Sequence, residues 1–402
     1  MRILHRNAKP RHSASSATPR CGLLFAALLL IGQHAAAQTK PAKDYYVFVA
    51  SESVDRVALL TFGPSGFRIE REKYVGIVPT ELAGPHGLAV TPDGRHWFTS
   101  TAHGMPYGRL QKYSTATDSA EGKVVLGNFP ASMQVSPDGQ FVWVVNFNLH
   151  GEMVPSDVSV VAAKDMVEIA RIKTCIMPHG SRLSADGTKH YSVCMMDDHL
   201  IEIDTRTLEV SRHFMLAKGN EHGMAGPPGG MHGDMGSMKD MGGHGMEAPK
   251  PGDNACSPTW AQPAPNGSVV WVACNKSSDI AEIDTKSWAL KRRIPAGNGV
   301  YNLGVTHDGK KLLATNKRDA SMSVFDAASG AELARIKTAR AVVHGIAVSD
   351  DDCYAFISIE GTGSQPGTVD VIDLTTLAKV ASVEVGQQAG GIDFWKSMPP
   401  AR

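Results

Sequence analysis

The sequence predicts an all-β protein, a seven-bladed β-propeller built from four-stranded antiparallel blades. Two observations support this fold. A unit of four short strands recurs about every 45 residues, and its first strand occurs seven times along the chain. A period of 40–50 residues with four strands per unit is typical of β-propellers.

The clearest copy of the unit extends from Val300 to Ile336. Short apolar runs are separated there by turn residues, notably Asp308-Gly309 and Ser329-Gly330, which predicts a small antiparallel meander. The seven first strands lie in the segments 85–94, 130–139, 178–187, 258–267, 300–309, 342–352 and 389–395.

The two ends of the repeat region complement each other. Three strands (45–50, 57–62 and 67–75) precede the first complete unit, and a single first strand (392–395) follows the last one. Pairing of residues 391–395 with 45–50 would complete a blade and close the ring without an exposed sheet edge. We therefore expect one propeller domain over residues 38–402.

Several strands resemble the YVTN-type propeller repeat, among them 141–146 (FVWVVN), 311–316 (KLLATN), 201–210 and 369–380. The resemblance covers residues 44–396 and implies the propeller fold. It leaves the function open, because this broad group includes lactonases, haem-d1 propellers and binding proteins. No catalytic motif of the lactonases matches this chain residue by residue.

The first 37 residues have the pattern of a secretory signal peptide. A basic segment is followed by the apolar run 21–32 and by Ala35-Ala36-Ala37, a small-residue cleavage pattern. We therefore expect a periplasmic or secreted protein, a monomer without a membrane span. Removing residues 1–37 leaves 35 Lys and Arg against 40 Asp and Glu, which argues against nucleic acid as a partner.

One interval between first strands is 80 residues long, and the excess lies at 219–255. Eleven glycines and four prolines in this insert predict a disordered loop without regular structure. The candidate metal ligands in the insert are His222, Met224, Met231, His232, Met235, Met238, Met241, His244 and Met246.

The chemistry of these side chains favours copper. Thioether sulfur suits Cu(I), and imidazole accepts Cu(I) or Cu(II). The insert resembles the Met/His-rich tracts of periplasmic copper-resistance proteins. The alternative is a low-complexity linker whose composition has no function.

A second group of candidate metal ligands comes from the repeat itself. His86, His179 and His344 occupy the same position, each just before a first strand. Equivalent positions of a ring face a common axis, so we expect the three imidazoles at one mouth of the central channel. The alternative is a backbone role for each His-Gly pair, because glycine admits tight packing. Three histidines from loops between second and third strands are expected on the same face: His103, His150 and His199.

Two successive units repeat a pair of cysteines. The spacing and an oxidising compartment predict the disulfides Cys175–Cys194 and Cys256–Cys274, and leave Cys353 as a lone buried thiol.

The alternative for the first pair is a soft metal site. A two-residue hairpin at the Asp186-Gly187 turn would place His179 opposite Cys194, close to Met177 and Met195.

Three functions remain compatible with the sequence. The first is a propeller that binds copper for buffering or delivery. The second is an enzyme on the same scaffold, either a copper-dependent oxidoreductase or a lactonase-like hydrolase. The third is a scaffold without metal that binds a protein or cell-wall partner. The sequence contains no P-loop, Rossmann fingerprint, G-x-S-x-G or C-x-x-C-H motif, which argues against nucleotide, serine-nucleophile and c-type haem chemistry.

Overall fold

The computed structural model describes residues 40–103, 108–228 and 254–400. Within these residues the chain forms seven antiparallel sheets, which are the seven blades of a propeller. The predicted fold class is confirmed. Each blade presents its first strand, one of the seven recognised in the sequence, as the innermost strand next to the central channel.

The strands follow the blades in chain order. Blade 1 contains β1 (Asp44–Ser51), β2 (Arg56–Gly63), β3 (Gly66–Tyr74) and the last strand, β29 (Ala389–Met398). Blade 2 contains β4 (Pro85–Val90), β5 (His96–Thr101), β6 (Arg109–Ser114) and β7 (Ala120–Val125). Blade 3 contains β8 (Pro130–Val135), β9 (Phe141–Asn146), β10 (Pro155–Ala162) and β11 (Val167–Ile176).

The remaining blades are built in the same way. Blade 4 contains β12 (Pro178–Leu183), β13 (Lys189–Cys194), β14 (His199–Asp204), β15 (Glu209–Met215) and β16 (His222–Ala225). Blade 5 contains β17 (Pro258–Pro263), β18 (Val269–Cys274), β19 (Asp279–Asp284) and β20 (Ala289–Pro295). Blade 6 contains β21 (Val300–Val305), β22 (Lys311–Asn316), β23 (Ser321–Asp326) and β24 (Glu332–Lys337). Blade 7 contains β25 (Val343–Val348), β26 (Tyr354–Ile359), β27 (Gly367–Asp373) and β28 (Ala378–Val385). A short 3-10 turn, Glu52–Val54, joins β1 to β2.

The ring closes as the sequence predicts. β29 pairs antiparallel with β1, and the register extends from Asp44 opposite Met398 to Ser51 opposite Ala389. Blade 1 therefore combines the last strand with the first three, in the order β29-β1-β2-β3. No helix among the described residues is long and apolar enough to cross a membrane.

The turn between the first and second strands explains the recurring Asp-Gly or Asn-Gly pair. Gly309 has φ +71°, a left-handed conformation that glycine adopts without steric cost. In blade 7 the equivalent position is Asp352, at φ +56°. Aspartate is one of the few other residues that tolerate this region.

The hydrophobic core is divided among the clefts between neighbouring blades. Between blades 3 and 4, Trp143 and Val158 pack against Ile201. Between blades 7 and 1, Phe356 packs against Val47 and its neighbours. Each blade is therefore stabilised mainly by its contacts with the next one, which makes closure of the ring important for stability.

Both predicted disulfides are present, Cys175–Cys194 and Cys256–Cys274. Each joins the segment before or at a first strand to the end of a second strand. Cys353 is a free thiol, as expected, but it is partly exposed rather than buried.

The insert differs from the prediction at its beginning. His222–Ala225 forms β16, a fifth strand that pairs antiparallel with β15 at the outer edge of blade 4. The prediction that glycine and proline exclude regular structure was wrong for these residues. An edge strand offers unpaired backbone groups, and four residues suffice to pair with them. Residues 229–253 of the insert lie outside the described residues.

Deleting residues 389–402 should lower the free energy of unfolding by several kcal/mol, because it exposes the inner edge of β1. The deletion also removes buried Ile392, which alone contributes roughly 2 kcal/mol. Denaturant unfolding would measure the loss. Deleting only 399–402, which follow β29, is the control and should leave stability unchanged. Equal stability of the two truncated proteins would contradict closure through β29.

Candidate functional site

The first strands share a break in their pairing near the second residue. In blade 4, for example, pairing with β13 shifts between Pro178 and Ser181. The same shift occurs in the other six first strands. The residue at the second position is thereby released from the ladder and lies at the mouth of the channel.

Hydrogen bonds link these second positions around the ring. At five junctions a serine or threonine hydroxyl of one blade donates to the second-position carbonyl of the next blade. The pairs are Ser100–Ala131, Ser132–His179, Thr259–Tyr301, Thr315–His344 and Ser358–Gly390, with donor-to-acceptor distances of 2.5–3.4 Å. At the junction of blades 4 and 5, His179 Nδ1 donates to the Thr259 carbonyl at 2.9 Å.

The glycine after each mouth histidine has a steric role. A Cβ on Gly87 would lie 2.0 Å from the carbonyl oxygen of Ala131, and one on Gly180 would lie 2.2 Å from that of Thr259. Only glycine lets neighbouring first strands approach this closely. The backbone role foreseen for the His-Gly pairs is therefore real.

The structure brings His86, His179 and His344 together at this mouth. The ring centre of His86 lies 5.6 Å from that of His344 and 6.4 Å from that of His179. Tyr301, at the same second position of blade 6, lies between the other two, with ring centres 5.5 Å from His179 and 5.0 Å from His344. Four aromatic side chains thus surround the channel axis.

The tautomer of His179 follows from its partners. A carbonyl oxygen only accepts, so the contact with Thr259 places the proton on Nδ1 and leaves Nε2 as an acceptor. The Tyr301 hydroxyl donates to this Nε2 at 3.1 Å. Burial lowers the pKa of His179 to about 3, so the imidazole is neutral near pH 7.

His86 is held by an acidic side chain from blade 1. Its Nδ1 donates to Glu52 Oε2 at 2.9 Å, and His103 Nε2 contacts Glu52 Oε1 at 2.5 Å. Burial opposes ionisation of Glu52, but the two histidines lower its pKa to about 2. The same hydrogen bond raises the pKa of His103. Glu52 is therefore an ionised, buried carboxylate that orients two histidines.

His344 lies at the mouth beside Lys317 and Glu360. Lys317 Nζ bonds Glu360 Oε1 at 2.8 Å and lies 4.3 Å above the Tyr301 ring. His344 Nε2 is 3.7 Å from the same Glu360 oxygen. Burial, and then the charge of Lys317, lowers the pKa of His344 well below its usual range, so it too is neutral.

Three further predicted residues can be placed. His103 and His150 join the mouth, with ring centres 5.6 Å apart, and both rings contact Phe129. His199 does not join it, because it lies at the start of β14 beside His213.

Of the predicted insert ligands, the structure describes His222 and Met224. The others lie outside the described residues: Met231, His232, Met235, Met238, Met241, His244 and Met246.

The alternative soft site around Cys194 was wrong. Cys194 is bonded to Cys175. The bulge in β12 also changes the register, so that Pro178 rather than His179 lies opposite Cys194.

Among the described residues, no three His, Cys, Asp or Glu side chains form a group that could hold a metal ion. The mouth histidines share a small region without being a ready coordination sphere.

The interior of the channel is polar as well. Arg182 stacks on Trp260 at 4.5 Å and donates to the Ser181 carbonyl. Asp393, at the same position of its strand, accepts hydrogen bonds from the N–H groups of Val90 and Phe394. Burial raises the pKa of Asp393 to about 6 and lowers that of Arg182 to about 10.

Sequence reasoning missed several of these residues for different reasons. Tyr301 carried a usable signal, because it aligns with the mouth histidines. Arg182 and Asp393 also align, at the fifth position of their strands. Glu52 gave no signal in the sequence, because it lies outside the aligned first strands and reaches the mouth from the turn after β1.

The fold and this site define a seven-bladed propeller with a histidine-lined channel mouth. No family model and no curated relative matches the sequence. Hydrazine synthase from Kuenenia stuttgartiensis is a similar solved structure, with a TM-score of 0.58 and 19% identity over 78% of this chain and 90% of that one. A functionally unknown protein from Desulfotomaculum acetoxidans has a TM-score of 0.62 and 13% identity over 88% of this chain and 99% of that one. These likenesses show the fold alone, and the YVTN-type resemblance stays a prediction.

The pKa of Asp393 makes a specific prediction for stability. The folded protein keeps a proton on Asp393 up to about pH 6, whereas the unfolded chain releases it near pH 3.8. Relative to Asp393→Asn, the wild type should therefore lose about 1–3 kcal/mol of unfolding free energy between pH 4 and about pH 6, and lose no more at higher pH. Urea unfolding across this range measures the difference. Exposed Asp165→Asn is the control, and a pH-independent difference for Asp393→Asn would contradict the buried protonated carboxyl.

Proposed function

We propose that this protein is an exported propeller that binds copper for buffering or delivery. The ligands are the thioethers and imidazoles of the insert together with His86, His179 and His344 at the channel mouth. The observation that carries the proposal is the way two of these histidines are held. In both, Nδ1 donates to an oxygen, and Nε2 is the nitrogen left with the lone pair, which in His179 accepts from the Tyr301 hydroxyl.

This arrangement is the one found around metal-binding histidines. A ligating imidazole usually donates its other N–H to a carboxylate or a backbone carbonyl, which fixes the ring and its tautomer. Glu52 plays this role for His86, and the Thr259 carbonyl plays it for His179. The six inter-blade hydrogen bonds keep the backbone rigid here, as a preorganised site requires.

Tyr301 adds a feature that a simple carrier site would lack. Its hydroxyl occupies Nε2 of His179, so copper must displace this hydrogen bond before it can bind that nitrogen. Affinity at the mouth is therefore reduced by about the free energy of one hydrogen bond, roughly 1 kcal/mol. A site weakened in this way suits release of the metal as well as capture.

The two disulfides agree with export, because disulfides form and persist in oxidising compartments. In such a compartment thioethers persist as soft ligands where free thiols are lost, and Cu(I) prefers soft ligands.

The test is a Cu(I) titration against a chromophoric chelator under anaerobic conditions. The His86→Asn and His179→Asn double variant keeps an amide N–H near each Nδ1 and removes both Nε2 atoms. It should lower the affinity of one copper equivalent by at least about 10-fold. Tyr301→Phe should instead tighten that equivalent by roughly 5-fold, since it removes the competing donor.

The matched control is His307→Asn. His307 is an exposed histidine whose Nδ1 is likewise held by a carboxylate, at 2.7 Å from Asp352. It should leave every copper equivalent unchanged. Mouth variants that behave like this control would leave His86 and His179 with a purely structural role and would refute copper binding at the mouth.

A further inference from the structure

A second group of imidazole and thioether side chains lies at the outer edge of blade 4, far along the sheet from the channel. We call it the blade-4 edge cluster. Its members are His199 of β14, His213 and Met215 of β15, and His222 and Met224 of β16. Only His222 and Met224 belong to the predicted insert.

Strand register brings these five side chains onto one face of the sheet. Met215 lies opposite His199 on one side and opposite His222 on the other, and His213 lies opposite Met224. Directly opposed residues of antiparallel strands project to the same face, and so do residues two apart on one strand.

The position of Gly223 in β16 shows which face of the sheet carries the five side chains. A Cβ on Gly223 would meet the ring of Trp288 in blade 5 at 2.2 Å. Gly223 therefore faces blade 5, and its neighbours His222 and Met224 face the other way. The cluster thus opens toward blade 3, beside Cys194, which pairs with His199 and is fixed by its disulfide to β11.

The imidazoles are oriented as metal ligands are. His213 Nδ1 donates to the Gly226 carbonyl at 2.7 Å, and His222 Nδ1 donates to the Asn220 carbonyl at 2.8 Å. Both contacts leave Nε2 as the free acceptor. His199 Nδ1 is buried and has no hydrogen-bond partner, a cost that a bound ligand would remove.

The spacing of the rings fits a shared ion. Two imidazoles that bind one tetrahedral ion through nitrogens at about 2.0 Å keep their ring centres about 5 Å apart. The ring centres of His199 and His213 are 5.2 Å apart. At the channel mouth the corresponding separations are wider, 5.6 and 6.4 Å.

We infer that the blade-4 edge cluster is a Cu(I) site with mixed imidazole and thioether ligands. The described part of the chain contains no group of three His, Cys, Asp or Glu side chains placed to hold a metal, so this site depends on Met215 and Met224. Thioethers are ligands for Cu(I) and not for hard divalent ions, which gives the site its selectivity. The inference rests on the proposed copper chemistry but not on the mouth histidines.

The cluster is also held in place on its other side. Arg293 of blade 5 pairs with Glu221, next to His222, at 2.9 Å and donates to the Leu216 carbonyl at 2.6 Å. These contacts fix the turn between β15 and β16, so the two strands present their ligands together. A site on paired strands is better preorganised than one on an irregular loop.

The experiment uses the full chain in which Met231, Met235, Met238, Met241 and Met246 are replaced by leucine, which removes competing thioethers. The probe is Cu(I) alone, in competition with a chromophoric chelator. His213→Asn keeps a donor for the Gly226 carbonyl and removes Nε2, and it should weaken one copper equivalent by at least about 10-fold. Met224→Leu, a volume-conserving change at a half-exposed position, should weaken the same equivalent, while His307→Asn should have no effect.

X-ray absorption of the copper-bound protein gives a second readout that does not depend on affinity. It should show nitrogen and sulfur ligands together, and Met224→Leu should lower the sulfur contribution. The inference is overturned if His213→Asn and Met224→Leu both match His307→Asn in affinity.

The same series separates the two proposals. Loss of a copper equivalent in His213→Asn but not in the His86→Asn and His179→Asn double variant would refute the mouth site and retain the edge cluster. The reverse result would refute the edge cluster alone.

Discussion

The centre of this protein depends on hydrogen bonds that join neighbouring blades at six junctions, each to the second-position carbonyl of the next blade. Five of these bonds come from serine or threonine hydroxyls, and the sixth comes from the imidazole of His179. They form because the first strand leaves its ladder at that position, which frees the carbonyl to accept from a neighbouring blade. Without β29 the bond from Ser358 of blade 7 to the Gly390 carbonyl would be lost, and blade 7 would have no such link to blade 1.

The same constraint decides what the mouth residues can do. Where the second-position carbonyl accepts from a neighbouring blade, its backbone cannot move without disturbing two blades. This constraint applies to His179, Tyr301 and His344. For His179 the structural and the proposed functional roles depend on the two nitrogens of the same ring. Its Nδ1 stabilises the ring of blades, and for that reason its Nε2 faces Tyr301.

The cluster at the edge of blade 4 is built from adjacent strands of one blade and not from equivalent positions around the ring. There the proposed ligands come from three neighbouring strands, and the outermost, β16, lies in the first part of the insert. The composition of the insert predicts soft ligands, but composition cannot show that His222 and Met224 pair with β15. His213 and Met215 gave no signal, because an alternating pattern in one strand does not reveal which strand will lie beside it.

The fold was far more predictable than the site. Blade number and closure follow from the period and from the complementary ends, since strand patterns and Asp-Gly turns are local properties. The disulfides follow from cysteines repeated at equivalent positions. Partners such as Glu52, the hydroxyl of Tyr301 and Gly226 depend on distances between residues remote in the chain, and only the folded structure supplies them. Residue alignment could place His86, His179 and His344 on one axis but could not give the spacing of their rings.

The most direct measurement is an anomalous difference map at the copper edge, from crystals of the full chain grown anaerobically with Cu(I). The account predicts peaks at two positions, one within bonding distance of Nε2 of His86 and His179 at the channel mouth, and one among His213, His222 and Met224 at the edge of blade 4. Copper found at neither position would contradict the claim that this scaffold is built to bind copper.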